Sequence, residues 1–247
     1  MSAFSPVLIH TILEVLAYTV GTQVFLWQRR TLGLSALQDK DQALWVIIGA
    51  ALGAALGSKL AFWLEDPAVA FAHFPDWRQL LQGKSIVGGL LGGLVGVEIS
   101  KKMIGQHRST GDAFVLPLAV GMCIGRVGCF LAGLADHTYG VATNLPWGVD
   151  FGDGISRHPT QLYEIVFIAI WTTCILQRKQ NFSCVGDAFR CYLAGYLLFR
   201  LFVEFIKPIP MVYLGMLSGI QCLCVLGLAY YAKDLPRLIR ELLWETK

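Results

Sequence analysis

Charge is what this sequence has least of. Only 15% of its 247 residues are Asp, Glu, Lys or Arg, while 55% are hydrophobic and the mean hydropathy is +0.57. A soluble domain of this length cannot bury so much apolar surface, so that class is excluded and an all-α integral membrane protein is expected. The net charge of +3 is too small to point to nucleic acid. Disulfide signals are missing as well. The seven cysteines are odd in number, lie in or beside apolar runs and leave the external loops without one, so they read as free thiols. Cys222 and Cys224, two apart, point to different sides of a helix and make no metal-ligand pair; no metal and no other cofactor is expected. Also absent are an internal repeat, a Gly-x-Ser-x-Gly elbow, a His-Glu-x-x-His pair, a paired-Asp motif and a phosphate loop with lysine.

What is present is a series of long apolar runs. A bilayer core of about 30 Å needs roughly 20 helical residues. About seven runs approach that length: Val7–Trp27, Ala43–Leu64, Ser85–Ile104, Asp112–Gly133, Gln161–Gln177, Asp187–Ile206 and Met211–Ala232. The first lacks a basic leader and is counted as a retained span. Of the twenty Lys and Arg residues, twelve fall in the loops after odd-numbered spans or in the C-terminal tail. Four (Arg78, Lys84, Arg157, Lys207) lie on the opposite side, and Lys59, Arg126, Arg190 and Arg200 fall within spans. The positive-inside rule then puts the N-terminus outside and the C-terminus in the cytoplasm. The chain reads as one polytopic membrane domain, 1–247, with an external loop 134–160 and a cytoplasmic amphipathic tail 233–247. In that tail Leu238, Leu242, Leu243 and Trp244 stand among arginines. Asp66, Pro67, Phe71, Phe74, Pro75, Asp76 and Trp77 form an interfacial loop after the second span.

Span one carries His10, Glu14 and Gln23, a polar load that needs a protein-facing or watery side. Gly49, Gly53 and Gly57 recur every four residues in span two, as do Gly88, Gly92 and Gly96 in span three, beside Gly89 and Gly93. Such faces let helices approach closely, and a glycine ridge also admits a lipid head group. The stretch from Gly121 to Glu164 is more specific. Arg126 sits inside an apolar run, where a guanidinium needs an anion, a carboxylate or water. Beyond the loop, Arg157 and His158 precede Pro159, which suits a first helical turn; free N–H groups beside two cationic side chains there would suit phosphate. In span six, Tyr196, Arg200 and Glu204 recur at four-residue intervals and form one polar stripe. That stripe is either a self-neutralising ion pair or a site facing the bundle interior. Arginines 126, 157 and 200, with Tyr196 and histidines 137 and 158, are expected to meet in the outer half of the bilayer, where guanidinium groups suit a phospholipid head group.

These segments resemble the prolipoprotein diacylglyceryl transferase family. Gly125-Arg126-Val127-Gly128-Cys129-Phe130 is similar to its glycine-arginine signature, and Arg157-His158-Pro159-Thr160-Gln161-Leu162-Tyr163-Glu164 to its Arg-His-Pro-Ser-Gln-Leu-Tyr-Glu segment. Tyr196-Leu197-Leu198-Phe199-Arg200 with Val203-Glu204-Phe205 resembles a third run. The resemblance implies transfer of the diacylglyceryl group of phosphatidylglycerol to the lipobox cysteine of a prolipoprotein signal peptide, in a bacterial inner membrane crossed many times. It implies lipid contacts from Gly88, Gly89, Gly125, Arg126, Arg157, Gln161, Glu164, Arg200 and Glu204. Arg126, Tyr196, Arg200 and His158 are the candidate catalytic residues: the resemblance puts the arginines on the phosphate, Tyr196 orienting the lipid or relaying a proton and Arg157 or His158 at the entrance, while with Val87 at the histidine position the base is expected to be His158 or His137. Val87 stands where the family has histidine, and Cys129 where it often has asparagine. From the charges alone, a non-catalytic lipid or peptide binder, a paralogue acting on another acceptor and a small transporter remain open.

The charge count makes a direct prediction. A reporter fused after Lys247 should be active in the cytoplasm; activity confined to the outside would reverse the assigned orientation.

Overall fold

The computed structural model describes residues 5–31, 40–72, 83–213 and 215–243. Among them the chain forms nine α-helices: α1 Pro6–Thr31, α2 Lys40–Glu65, α3 Pro67–Phe71, α4 Ile86–Met103, α5 Val115–Ala132, α6 Thr160–Gln177, α7 Asp187–Val203, α8 Gly219–Tyr230 and α9 Leu235–Leu243. Four stretches are long and apolar enough to cross a membrane: Pro6–Thr31, Asp41–Glu65, Gly111–Asp136 and Thr160–Gln177. The remaining apolar helices fall short for local reasons. Helix α4 ends in Glu98, Lys101 and Lys102, and α7 and α8 have 17 and 12 residues.

The run expected over Met211–Ala232 is not helical from its start. Pro208 and Pro210 stop the preceding turn. A hairpin of β3, Val212–Tyr213, and β4, Leu217–Ser218, follows, with Gly215 at φ +73°. Only then does Ser218 open α8, its side chain accepting from the Gln221 N–H while Gln221 bonds back to the Ser218 N–H. Helix α4 starts similarly, the Ser85 hydroxyl accepting from Gly88 N.

Two close helix contacts organise the bundle. Helices α2 and α4 meet backbone to backbone: a Cβ on Gly53 would lie 2.2 Å from Gly92 O, one on Gly57 2.4 Å from Gly88 O, and one on Gly96 2.1 Å from Gly49 O. The glycine spacing read from the sequence is thus a packing seam. Helices α1 and α5 approach at Gly21 and Gly121, whose added Cβ atoms would each meet a backbone oxygen, of Pro117 and Ala17, at 3.2 Å. This contact carries the N-terminal end of α1 toward the C-terminal end of α5, where Gly128 faces Leu13 and His10. Helix α7 lies in the core, with Tyr192, Leu193, Tyr196 and Leu197 fully buried. Its start is pinned by Asp112, whose carboxylate accepts from Gly186 N at 2.7 Å and Phe189 N at 3.0 Å.

The tail departs from expectation in its packing. Leu238 is buried and Leu242 packs on the core, while Arg237 pairs with Asp187 and Ser183 donates to Glu241 at 2.5 Å. The apolar stripe of α9 therefore docks largely on the bundle, leaving Leu243 exposed. Helix α3 leaves Phe71 exposed against Trp63. Phe74, Pro75, Asp76, Trp77 and Trp244 lie outside the described residues.

The seam yields a paired prediction. Gly53→Leu would drive a side chain into the Gly92 carbonyl and should cost about 3 kcal/mol or more, at the upper end of overpacking penalties. Gly93→Ala, whose Cβ would meet nothing nearer than 3.5 Å, should be tolerated. Thermal unfolding of the two variants in detergent measures the difference.

Candidate functional site

The buried charges converge where α5, α6 and α7 meet. Glu164, 2% exposed in the first turns of α6, has its Oε1 2.9 Å from Arg126 Nε and accepts the Tyr196 hydroxyl at 2.7 Å. The Arg126 N–H at Nε is not aligned with the carboxylate, so the pair is held by charge more than by a hydrogen bond. One helical turn beyond Tyr196, Arg200 donates from Nη2 to Glu204 at 2.7 Å, and both are buried. Arg200 also lies within electrostatic reach of Glu164 and Arg126. The stripe expected on span six thus faces inward, and it joins Arg126 through one carboxylate. Two guanidiniums and two carboxylates cancel, which is how such groups persist in an apolar bundle.

Each arginine is paired through a carboxylate at one nitrogen, and a guanidinium offers five N–H donors, so donors remain for a phosphate. Beside Arg126, a Cβ on Gly125 would meet nothing within 4 Å. Gly125 is therefore an open flank on which a head group can lie. Gly88 is not: it is buried, and its Cβ would collide with Ala61 Cβ and Gly57 O at 2.3 Å, so the helix seam occupies the face expected to touch substrate. Gly89 is half-buried, its nearest obstacle at 3.8 Å. Val87 is 1% exposed in the apolar core and can move no proton.

Arg157 does not join the arginine cluster, contrary to expectation. It grips Asp153 at 2.6 and 2.7 Å and stacks over Tyr139 with 5.1 Å to the ring centroid. The guanidinium bond holds the Asp153 carboxyl below its usual range. The cause is local: Asp150 accepts three successive N–H groups, from Gly152, Asp153 and Gly154, and so turns β1, Val149–Asp150, into β2, Ser156–Arg157. The start of α6 is likewise no open anion site. The Thr160 hydroxyl donates to Thr138 O at 2.6 Å, the Gln161 amide donates to Thr138 Oγ1 at 3.1 Å, and both side chains are buried under the loop. His158 Nδ1 is 3.2 Å from the Tyr163 hydroxyl, and the His137 ring lies 6.4 Å from that of Tyr139. The loop is fastened to the end of α7 by Val141 N donating to Ile206 O at 2.8 Å.

Two features were not legible as site elements. Lys207 follows the stripe, and burial, then the Arg200 guanidinium, push its ammonium down to about 8. His10, Cys129 and Asp136 bring three donor atoms within 4.8 Å of one another. Their separation along the chain hides this; only the Arg126–Cys129 spacing was readable as one helical turn.

Comparison with known proteins follows the same residues. The profile described as "Prolipoprotein diacylglyceryl transferase" matches residues 3–232. A protein of Geobacter sulfurreducens named phosphatidylglycerol--prolipoprotein diacylglyceryl transferase is 36% identical over 199 residues, 76% of this chain and 72% of the relative. Proteins of the same name from Nitratidesulfovibrio vulgaris (strain DSM 19637 / Miyazaki F) and Cupriavidus metallidurans are 35% and 31% identical, over 76% and 82% of this chain and 72% and 78% of their own. No solved structure matches the chain.

The geometry predicts unequal losses. Glu164→Ala strands Arg126 in the core and should destabilise by roughly 3–5 kcal/mol. Tyr196→Phe removes one bond to a charged acceptor and should cost about 1.5–3 kcal/mol. Equal melting temperatures for the two variants would remove Glu164 from the centre of the network.

Proposed function

The chain belongs to the prolipoprotein diacylglyceryl transferase family, and we propose on that basis that it moves the diacylglyceryl group of phosphatidylglycerol to the lipobox cysteine of a prolipoprotein. The observation that carries the reading is the buried pair Arg126 and Arg200, both within electrostatic reach of Glu164 and beside the open flank at Gly125. In this reading both guanidiniums hold the lipid phosphate and gain interaction as the leaving group becomes a dianion. Glu164 and Glu204 fix the two guanidiniums, and Tyr196 acts through Glu164 as a positioning residue. Gln161 supports the loop over the site, and Arg157 shapes its rim. Gly89 and Gly125 flank the lipid. His158, at the loop side, serves as an acceptor for the thiol proton.

Seven membrane crossings with the N-terminus outside complete the reading: α4, α7 and α8 are short but apolar and packed among the longer helices. The loop 134–160 then lies on the outer face of the inner membrane, where a signal peptide presents its cysteine. The support is the distribution of Lys and Arg together with the site's place at one end of the bundle.

Purified protein incubated with labelled phosphatidylglycerol and a lipobox peptide should place lipid on the cysteine and release glycerol phosphate. Arg126→Ala or Arg200→Ala should weaken lipid binding about tenfold or more, and lysine should rescue only in part. Undiminished binding by both alanine variants would overturn the shared phosphate site.

A further inference from the structure

The acceptor thiol has to lose a proton, and the position where the family carries histidine holds the buried Val87. A different arrangement stands next to Arg126. His10 Nε2, from the outer end of α1, lies 3.2 Å from Asp136 Oδ1 and 3.8 Å from Cys129 Sγ. Cys129 comes from the last turns of α5, and Asp136 from the 3₁₀ turn Gly133–Asp136 that follows. A proton relay would use opposite nitrogens of the imidazole, one oriented by the carboxylate and the other facing the thiol. Here both groups approach the same nitrogen. An N–H given to the carboxylate leaves the sulfur at 3.8 Å with only a weak contact to the imidazole, whereas a cation at their centre would serve all three.

The dimensions agree. Tetrahedral zinc has bonds of about 2.0–2.1 Å to nitrogen, 2.3 Å to sulfur and 2.0–2.2 Å to oxygen, which separate neighbouring ligand atoms by roughly 3.3–3.6 Å. The separations of 3.2 and 3.8 Å from His10 Nε2 stand on either side of that range and all three donor atoms lie within 4.8 Å of one another, so small side-chain shifts complete the fit; nitrogen, sulfur and oxygen donors together suit a borderline ion of this kind. Outer contacts orient the set. The Thr138 hydroxyl donates to Asp136 Oδ2, leaving Oδ1 for the centre, and Gln161 holds Thr138 in turn. Arg126 Nη1 points at Cys129 Sγ from 3.8 Å. A divalent ion with one thiolate and one carboxylate is neutral overall, so Arg126 does not oppose it.

We propose that His10, Cys129 and Asp136 form a three-ligand site for Zn²⁺, and that its fourth position takes the acceptor thiol beside the Arg126 phosphate grip. Three protein ligands with one place left is the pattern of zinc sites that act on a substrate. The His10 side chain is one-third exposed, so the place is reachable from outside. Coordination converts the thiol to a thiolate, its proton passing to water or to His158. The sulfur then attacks the glyceryl carbon that carries the phosphate ester. The C–S bond forms, the C–O bond breaks with its electron pair on the phosphate oxygen, and a monoester dianion remains on the arginines. The identity of the fourth ligand rests on the transferase reading; the metal site does not.

Full-length protein in detergent, stripped with a chelator and titrated with Co²⁺, tests both parts. One Co²⁺ per chain should bind, with a near-ultraviolet sulfur-to-cobalt band and visible d–d bands. His10→Gln keeps all seven thiols and should abolish these bands; Cys129→Ser should remove the charge-transfer band, and Asp136→Asn should weaken binding at least tenfold. Gel filtration reports the fold of each variant, and chelation of the parent needs no variant at all. If the parent binds no more Co²⁺ or Zn²⁺ than His10→Gln, the site is only an ion pair between His10 and Asp136, and the proposal falls. Stripping should also cut transfer to a lipobox peptide at least tenfold, with phosphatidylglycerol binding unchanged and Zn²⁺ restoring the rate. Full transfer by stripped protein would overturn the role of the fourth position. Metal binding by a parent that transfers in no metal state would overturn the transferase reading and leave the metal site standing.

Discussion

One carboxylate holds the functional end of this bundle together. Glu164 reaches Arg126 on one neighbouring helix and Tyr196 on another, so α5, α6 and α7 share a single buried acceptor. In an apolar surrounding such a group is tolerable only while its partners stay in place, and their positions are thereby fixed relative to one another. Arg200, one turn past Tyr196, inherits its placement from the same constraint and adds its own counter-ion, Glu204. Both guanidiniums are thus held in place by the protein's own carboxylates.

The division of labour among the helices follows from side-chain size. Between α2 and α4 the backbones touch because glycine leaves nothing between them, and this seam contributes rigidity without chemistry. Between α1 and α5 the contact is looser and brings polar groups of α1 beside the arginine signature. Two kinds of small-residue contact therefore do different work: one closes a wall, the other delivers His10.

What could be read from the sequence depended on whether the relevant partners lie within one helical turn. The stripe Tyr196, Arg200 and Glu204 and the buried position of Arg126 were legible because spacing alone sets the face of a helix and the absence of water marks a charge. Arg157 was misassigned to the cluster, since its partner Asp153 sits four residues earlier in a turn whose geometry depends on Asp150 accepting three N–H groups. Gly88 looked like a ligand surface for want of the register that sets it against Gly57 and Ala61. The start of α8 was placed too early because apolarity does not distinguish a hairpin from a helix over eight residues. His10 and Cys129 are 119 positions apart, and no local rule joins them.

The charge balance of the resting site has a kinetic consequence. Arg126, Arg200, Glu164 and Glu204 sum to zero; in the proposed reaction the lipid phosphate would add one negative charge to this set and cleavage a second. Lys207 beside them, though pushed down to about 8 by burial, still carries its proton at neutral pH and meets that negative charge as a cation. A site that favours the dianion over the monoanion also grips its spent head group more firmly than its fuel. In the proposed reaction, turnover would then be governed by the departure of glycerol phosphate under the loop that Val141 fastens to Ile206. The first cycle should outrun every later one.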